Sequence, residues 1–147
     1  MSRRKKFLLW ALFVLYLAVL LRITVFRSRF GSFDLCSGTI VWVPFVDLFG
    51  RTLHTSFFRF VYLFVGNLIW FVPFGLLLPL LTRRRSSAIL LGFFLSLCIE
   101  ILQFIFGTGV SEVEDLILNT LGTAAGYRLY LLLHRANDRK SHADSST

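Results

Sequence analysis

Four long apolar blocks separated by short polar or glycine-rich stretches dominate the chain. The first covers residues 7–26 and follows a basic start, Ser2-Arg3-Arg4-Lys5-Lys6. The others cover residues 60–81, 88–106 and 112–133. A helix of about 20 residues reaches about 30 Å, the thickness of a hydrocarbon core. The pattern therefore predicts an all-α membrane protein with four transmembrane helices. The first block is expected to persist as a span rather than serve as a cleaved signal. Its apolar run is long, and no small-x-small cleavage site follows it.

The connections carry their own signals. Residues 27–59 contain the breakers Gly31, Gly38, Pro44 and Gly50. Within them, Ile40-Val41-Trp42-Val43-Pro44-Phe45-Val46 is too short and proline-broken to span. With Phe49, Phe57, Phe58 and Phe60 nearby, this long first outer loop is expected to include an interfacial segment. In the second block, Pro73, Gly75 and Pro79 are expected to kink the helix and release backbone carbonyls. Turns follow at Thr82-Arg83-Arg84-Arg85-Ser86-Ser87 and at Gly107-Thr108-Gly109. Ser111-Glu112-Val113-Glu114 then fits a capping box, and Glu112, Glu114 and Asp115 suit the positive end of a helix dipole. Residues 134–147 are polar and aperiodic, so a disordered tail is expected after a single domain over residues 1–133.

Composition agrees with this pattern. Some 56% of residues are hydrophobic and 16% charged, whereas soluble domains average about a quarter charged. A soluble fold of this size could not hide such blocks. A net charge of +8 would ordinarily raise nucleic acid as a partner. Here the basic residues gather at block ends, where they anchor helices and set topology. Ten lie at the N-terminus, at Arg83–Arg85, and at Arg135, Arg139 and Lys140. Only four, Arg27, Arg29, Arg51 and Arg59, lie on the opposite side. The positive-inside rule then places both termini in the cytoplasm and the first loop outside. Those four arginines are expected to anchor the interface.

Depth along each helix brings the polar residues together. At about 1.5 Å per residue, Arg22, Asn67, Glu100 and Gln103 all fall in the outer half of the membrane, and Asp115 and Asn119 open the fourth helix. Glu100 and Gln103 are spaced i,i+3, while Asp115, Asn119, Gly122 and Gly126 form one stripe. Gly122-x-x-x-Gly126 also permits close helix approach. An isolated charge at this depth is costly, so Glu100 is expected to be protonated or paired, with Arg22 as the cation at matching height. The expectation is a polar intramembrane pocket open to the outer surface. The plainer alternative is that Asn67, Asn119 and the glycines only join helices.

Catalytic and metal chemistry have little footing in the sequence. Cys36 and Cys98 differ in depth, and Cys98 is expected in the core. His54, His134 and His142 are scattered, and no Cys/His spacing suits a metal. No nucleophile-elbow, zincin, Walker or dinucleotide motif is present. No cofactor and no metal are expected, and the balance leans towards a non-enzyme.

Several segments resemble the VanZ-like family. Asn67-Leu68-Ile69-Trp70-Phe71-Val72-Pro73-Phe74-Gly75 resembles its N-x-x-x-F-x-P-F-G segment. Glu100-Ile101-Leu102-Gln103 resembles its E-x-x-Q, and the run from Val113 through Asn119 to Gly122 and Gly126 resembles its fourth helix. Arg22-Ile23-Thr24-Val25-Phe26 is similar to the end of its first helix. One departure stands out. Many members carry Asn-Leu-Ile-Pro-Phe in the first outer loop, where this chain has Val41-Trp42-Val43-Pro44-Phe45. The family takes its name from a protein giving low-level resistance to teicoplanin, a glycopeptide with a fatty acyl chain that acts at the outer leaflet. The resemblance thus implies a multi-pass protein of the bacterial cytoplasmic membrane. Its expected partners are membrane lipids, a lipoglycopeptide or a lipid-linked cell-wall precursor. An enzyme or transporter of a lipid-linked envelope component, and a scaffold docking through Gly122 and Gly126, are the alternatives; the oligomeric state is left open.

Overall fold

A computed structural model describes residues 2–26, 38–45, 56–82 and 87–144. Its elements run α1 (Arg3–Thr24), β1 (Thr39–Val41), α2 (Phe57–Leu81), α3 (Ala88–Phe106), β2 (Val110–Glu112) and α4 (Val113–Asp144). All four helices contain a stretch long and apolar enough to cross a membrane: Arg3–Thr24, Phe60–Leu81, Ala88–Phe106 and Val113–Ala136. Large apolar side chains such as Phe7, Leu15, Ile69, Phe94 and Leu132 point outward. In water that surface would be untenable; in lipid it is the natural exterior. Cys36, His54, Arg27, Arg29, Arg51 and Arg83–Arg85 lie outside the described residues.

Local chemistry explains where the helices begin and end. The Ser2 side chain accepts the Lys5 N–H at 3.4 Å, so α1 starts within the basic segment, ahead of the apolar block. At the far end of α3, Gly107 adopts φ 60°, the left-handed region open to glycine. The Gly107 and Thr108 N–H groups then donate to the carbonyls of Phe104 and Gln103, closing a Schellman motif. Contrary to the expected tail, α4 continues past Ala136 to Asp144. No proline or glycine interrupts that stretch, and Arg135, Ala136, Arg139, Lys140 and Ala143 are good helix formers.

The helix α2 is one continuous helix through Pro73 and Pro79. It packs most extensively on α4, and α3 packs on α4 next. The glycines explain the α2–α4 closeness. A Cβ on Gly122 would overlap Leu68 O, one on Gly126 would overlap Val72 O, and one on Gly75 would overlap Thr123 O. These backbones touch because no side chain stands between them. The Gly122–Gly126 face is therefore covered by α2 within the same chain.

Two apolar clusters fill the bundle. Phe13, Phe74, Leu78, Leu81 and Ala88 form one, and Leu20, Val25, Phe71 and Ile99 the other. Phe13 and Phe74 join α1 to α2, with ring centroids 5.7 Å apart. Nearby, the Tyr16 hydroxyl donates to Trp70 O at 2.6 Å. Cys98, expected in the core, is exposed on the outer face of α3. Its neighbour Ile99 takes the buried position instead.

The first loop contributes an element that local patterning did not predict. β1 pairs in parallel with β2, with Thr39 opposite Val110, Ile40 opposite Ser111 and Val41 opposite Glu112. A capping box at Ser111 is not formed. The Ser111 hydroxyl donates to Glu100 O at 2.8 Å, and the segment through Glu112 is extended before α4 begins at Val113. Gly38 lies against the Phe104 backbone, where a Cβ would come within 2.6 Å of its Cα. The loop strand is thus fastened to the ends of α3 and α4.

Candidate functional site

At the end of the bundle opposite the chain termini, the helices and β2 enclose a cavity of about 420 Å³. α1 contributes Ile23 and Thr24, and α2 contributes the stretch from Tyr62 to Phe71 that includes Asn67 and Trp70. α3 contributes Ile99, Glu100 and Gln103; α4 contributes Glu114, Asp115, Leu118 and Asn119. The glycine turn and β2 add Thr108, Gly109, Val110 and Glu112. Five of the six polar positions singled out by depth, Asn67, Glu100, Gln103, Asp115 and Asn119, therefore meet in one wall.

Hydrogen bonds lock this wall. Glu100 is 8% exposed and accepts the Glu112 N–H at 3.0 Å. Glu114 is 6% exposed and accepts the Phe45 N–H at 2.6 Å. That bond ties the first loop to α4, and Phe45 reaches it with a positive φ of 66°. Asn67 donates through Nδ2 to Asp115 Oδ1, crossing from α2 to α4. Asn119 donates to Ser96 Oγ at 2.9 Å, crossing from α4 to α3, and its carbonyl accepts from Thr123. Gln103 Nε2 donates to Thr24 O at 3.2 Å, crossing from α3 to α1. Gln103 Oε1 and Thr108 Oγ1 are buried with no hydrogen-bond partner.

Arg22 does not join them. It is exposed at the end of α1 and donates through Nη1 to Phe26 O in its own terminal turn. The expected Arg22–Glu100 pairing is thus replaced by a separate partner for each. Depth gave Arg22 the right height, but its position around the helix turns it to the outer face. A cation there satisfies the last carbonyls of its helix.

Sequence reading also underrated Glu112 and Glu114, which it assigned to a helix cap. One carboxylate oxygen from each of Glu112, Glu114 and Asp115 lies within 4.8 Å of the other two. Such hard oxygen donors are the kind that hold calcium or magnesium. The signal was present in the acidic run after the Gly107-Thr108-Gly109 turn, beside a helix start. Ser96, which serves Asn119, carried no signal of its own.

Four helices long and apolar enough to cross a membrane, with a polar cavity at one end of their bundle, define a multi-pass membrane protein. Residues 13–134 match the family described as VanZ/LLP1. The chain is 31% identical over 140 residues to Protein VanZ of Enterococcus faecium, covering 92% of this chain and 81% of that protein. It belongs to the VanZ family. No solved structure matches it significantly.

Proposed function

We propose that this protein acts in the bacterial cytoplasmic membrane to blunt lipid-tailed glycopeptides of the teicoplanin type. Both termini face the cytoplasm in this reading, and the cavity faces the outer leaflet. The cavity receives the polar part of a lipid-anchored molecule, either the drug itself or a lipid it meets. The observation that carries the reading is that polar side chains from α2, α3 and α4 converge on one cavity.

The test is susceptibility of a Gram-positive host expressing the chain, with teicoplanin and vancomycin compared. Expression should raise tolerance to teicoplanin more than to vancomycin. A Glu100→Gln, Asp115→Asn double variant at equal membrane level should lose that difference. Unchanged tolerance in the variant would remove the cavity from the mechanism.

A further inference from the structure

Three of the seams between helices are closed around the cavity. The α2–α4 seam is shut by backbone contact, with Gly122 and Gly126 against Leu68 O and Val72 O. The Asn119–Ser96 bond crosses the α3–α4 seam. The α1–α3 seam is crossed by the bond from Gln103 to Thr24 O and by the Phe26–Phe106 ring contact, with centroids 6.0 Å apart.

The α1–α2 seam changes along its length. Tyr62, Gly66, Trp70 and Phe74 lie four apart on one stripe of α2. Towards the chain termini α1 covers this stripe: Phe13 packs on Phe74, and the Tyr16 hydroxyl donates to Trp70 O. Towards the other end, Gly66 and Tyr62 line the cavity instead. Among the described residues, no other group comes within 4 Å of where a Gly66 Cβ would stand. Tyr62 is 70% exposed and Trp70 42%, so the stripe is open sideways between them. Across the gap, Ile23 and Thr24 of α1 line the same cavity.

A sideways opening here meets hydrocarbon rather than water, because Gly66 lies within the apolar span Phe60–Leu81. From Phe60 to Trp70, α2 rises about 15 Å, half of a hydrocarbon core of about 30 Å. That is the depth reached by the chains of a single leaflet. The gap therefore runs from one interface to a floor near the bilayer midplane, where Tyr16 closes it. Its edges are apolar, with Ile23, Leu63 and Trp70, and polar Asn67 and Asp115 lie further into the cavity.

We propose that the gap between α1 and α2 is a lateral slot that admits an acyl chain of a membrane lipid from the leaflet beside the cavity, with Tyr16 and Trp70 as its floor. This rests on the functional reading above and adds the route of entry. The polar part of the ligand moves into the cavity while its chain stays in the slot.

Trp70 provides the readout. The chain has three tryptophans, so Trp10→Phe with Trp42→Phe leaves Trp70 at the slot floor as the sole emitter. The full chain in maltoside micelles is titrated with a phosphatidylcholine carrying a dibrominated stearoyl chain, whose bromines quench tryptophan on contact. Trp70 emission should fall in a saturable step complete near equimolar lipid. Gly66→Leu fills the slot and gains helix propensity, so its thermal midpoint should not fall while the saturable step is lost. Ile23→Phe, which narrows the slot from α1, should lose the step as well. Ile69→Phe, on the outward face of α2, should retain it. Quenching that only follows the lipid fraction of the micelle would overturn the proposal. A saturable step that survives both slot variants, or that Ile69→Phe removes equally, would overturn it too. If the slot takes the chain as expected but drug tolerance ignores the Glu100→Gln, Asp115→Asn variant, this inference stands and the functional reading falls. If tolerance depends on those residues but no saturable step appears, the reverse holds.

Discussion

At the residue scale, each polar side chain inside the membrane has to answer for its cost. Asn119 does so by donating to Ser96 at 2.9 Å in a buried contact. Such bonds between membrane helices couple by about 0.6 kcal/mol on average. A double-mutant cycle of Asn119→Leu and Ser96→Ala, read by denaturation in mixed micelles, should return a coupling of about that size. Additive losses would mean that each residue serves another partner. Intramembrane cost is also why Asn67, Glu100, Gln103, Asp115 and Asn119 were legible in the sequence. A polar residue deep in an apolar block demands company, and height along the helix limits where that company can be. Height says nothing about direction around the helix, which is why Arg22 was misplaced. Its exposure depends on how α1 is rotated, and only packing fixes that.

At the element scale, the α2–α4 contact is set by glycine. Gly126→Ala would press a methyl into Val72 O, and Gly122→Ala into Leu68 O. Overpacking of this kind costs about 1–3 kcal/mol. Either variant should therefore lower the thermal midpoint in detergent, while Gly66→Ala, where a Cβ meets nothing within 4 Å, should not. The small-residue stripe was readable as a close-approach face. Whether another chain or this one covers it was not readable, because the partner is determined by the fold. The β1–β2 pair was illegible for a different reason. Three residues on each side carry no periodicity, and the Ser111-to-Glu114 pattern has a valid local meaning that a long-range pairing overrides. Gly38→Val should strain the Phe104 contact and loosen the strand from α3. Faster amide exchange within Thr39–Val41, with helix exchange unchanged, would report it.

At the scale of the whole molecule, four spans in sequence put the two termini on one side of the membrane. By the positive-inside rule, which sets the ten basic residues of the two ends and the Arg83–Arg85 turn towards the cytoplasm, reporter fusions at each end should both be active only there. Opposite results for the two ends would mean that one span does not cross. The four helices were legible because span length is set by the bilayer rather than by packing. The continuation of α4 to Asp144 was not, since polarity marks where a helix leaves lipid and not where it stops being a helix.

The bond from Phe45 to Glu114 joins residues 69 positions apart, and the strand beside it is parallel. Parallel strands cannot be joined by a tight turn, and here the intervening chain leaves and re-enters the membrane through α2 and α3. During synthesis the first loop must therefore wait, undocked, until Val110–Glu112 and the start of α4 have emerged and the preceding pair of spans is in place. The cavity wall is completed only by the last helix, so an insertion intermediate holding three spans would have no site. The cavity is therefore completed in a single late step of the chain's own biogenesis.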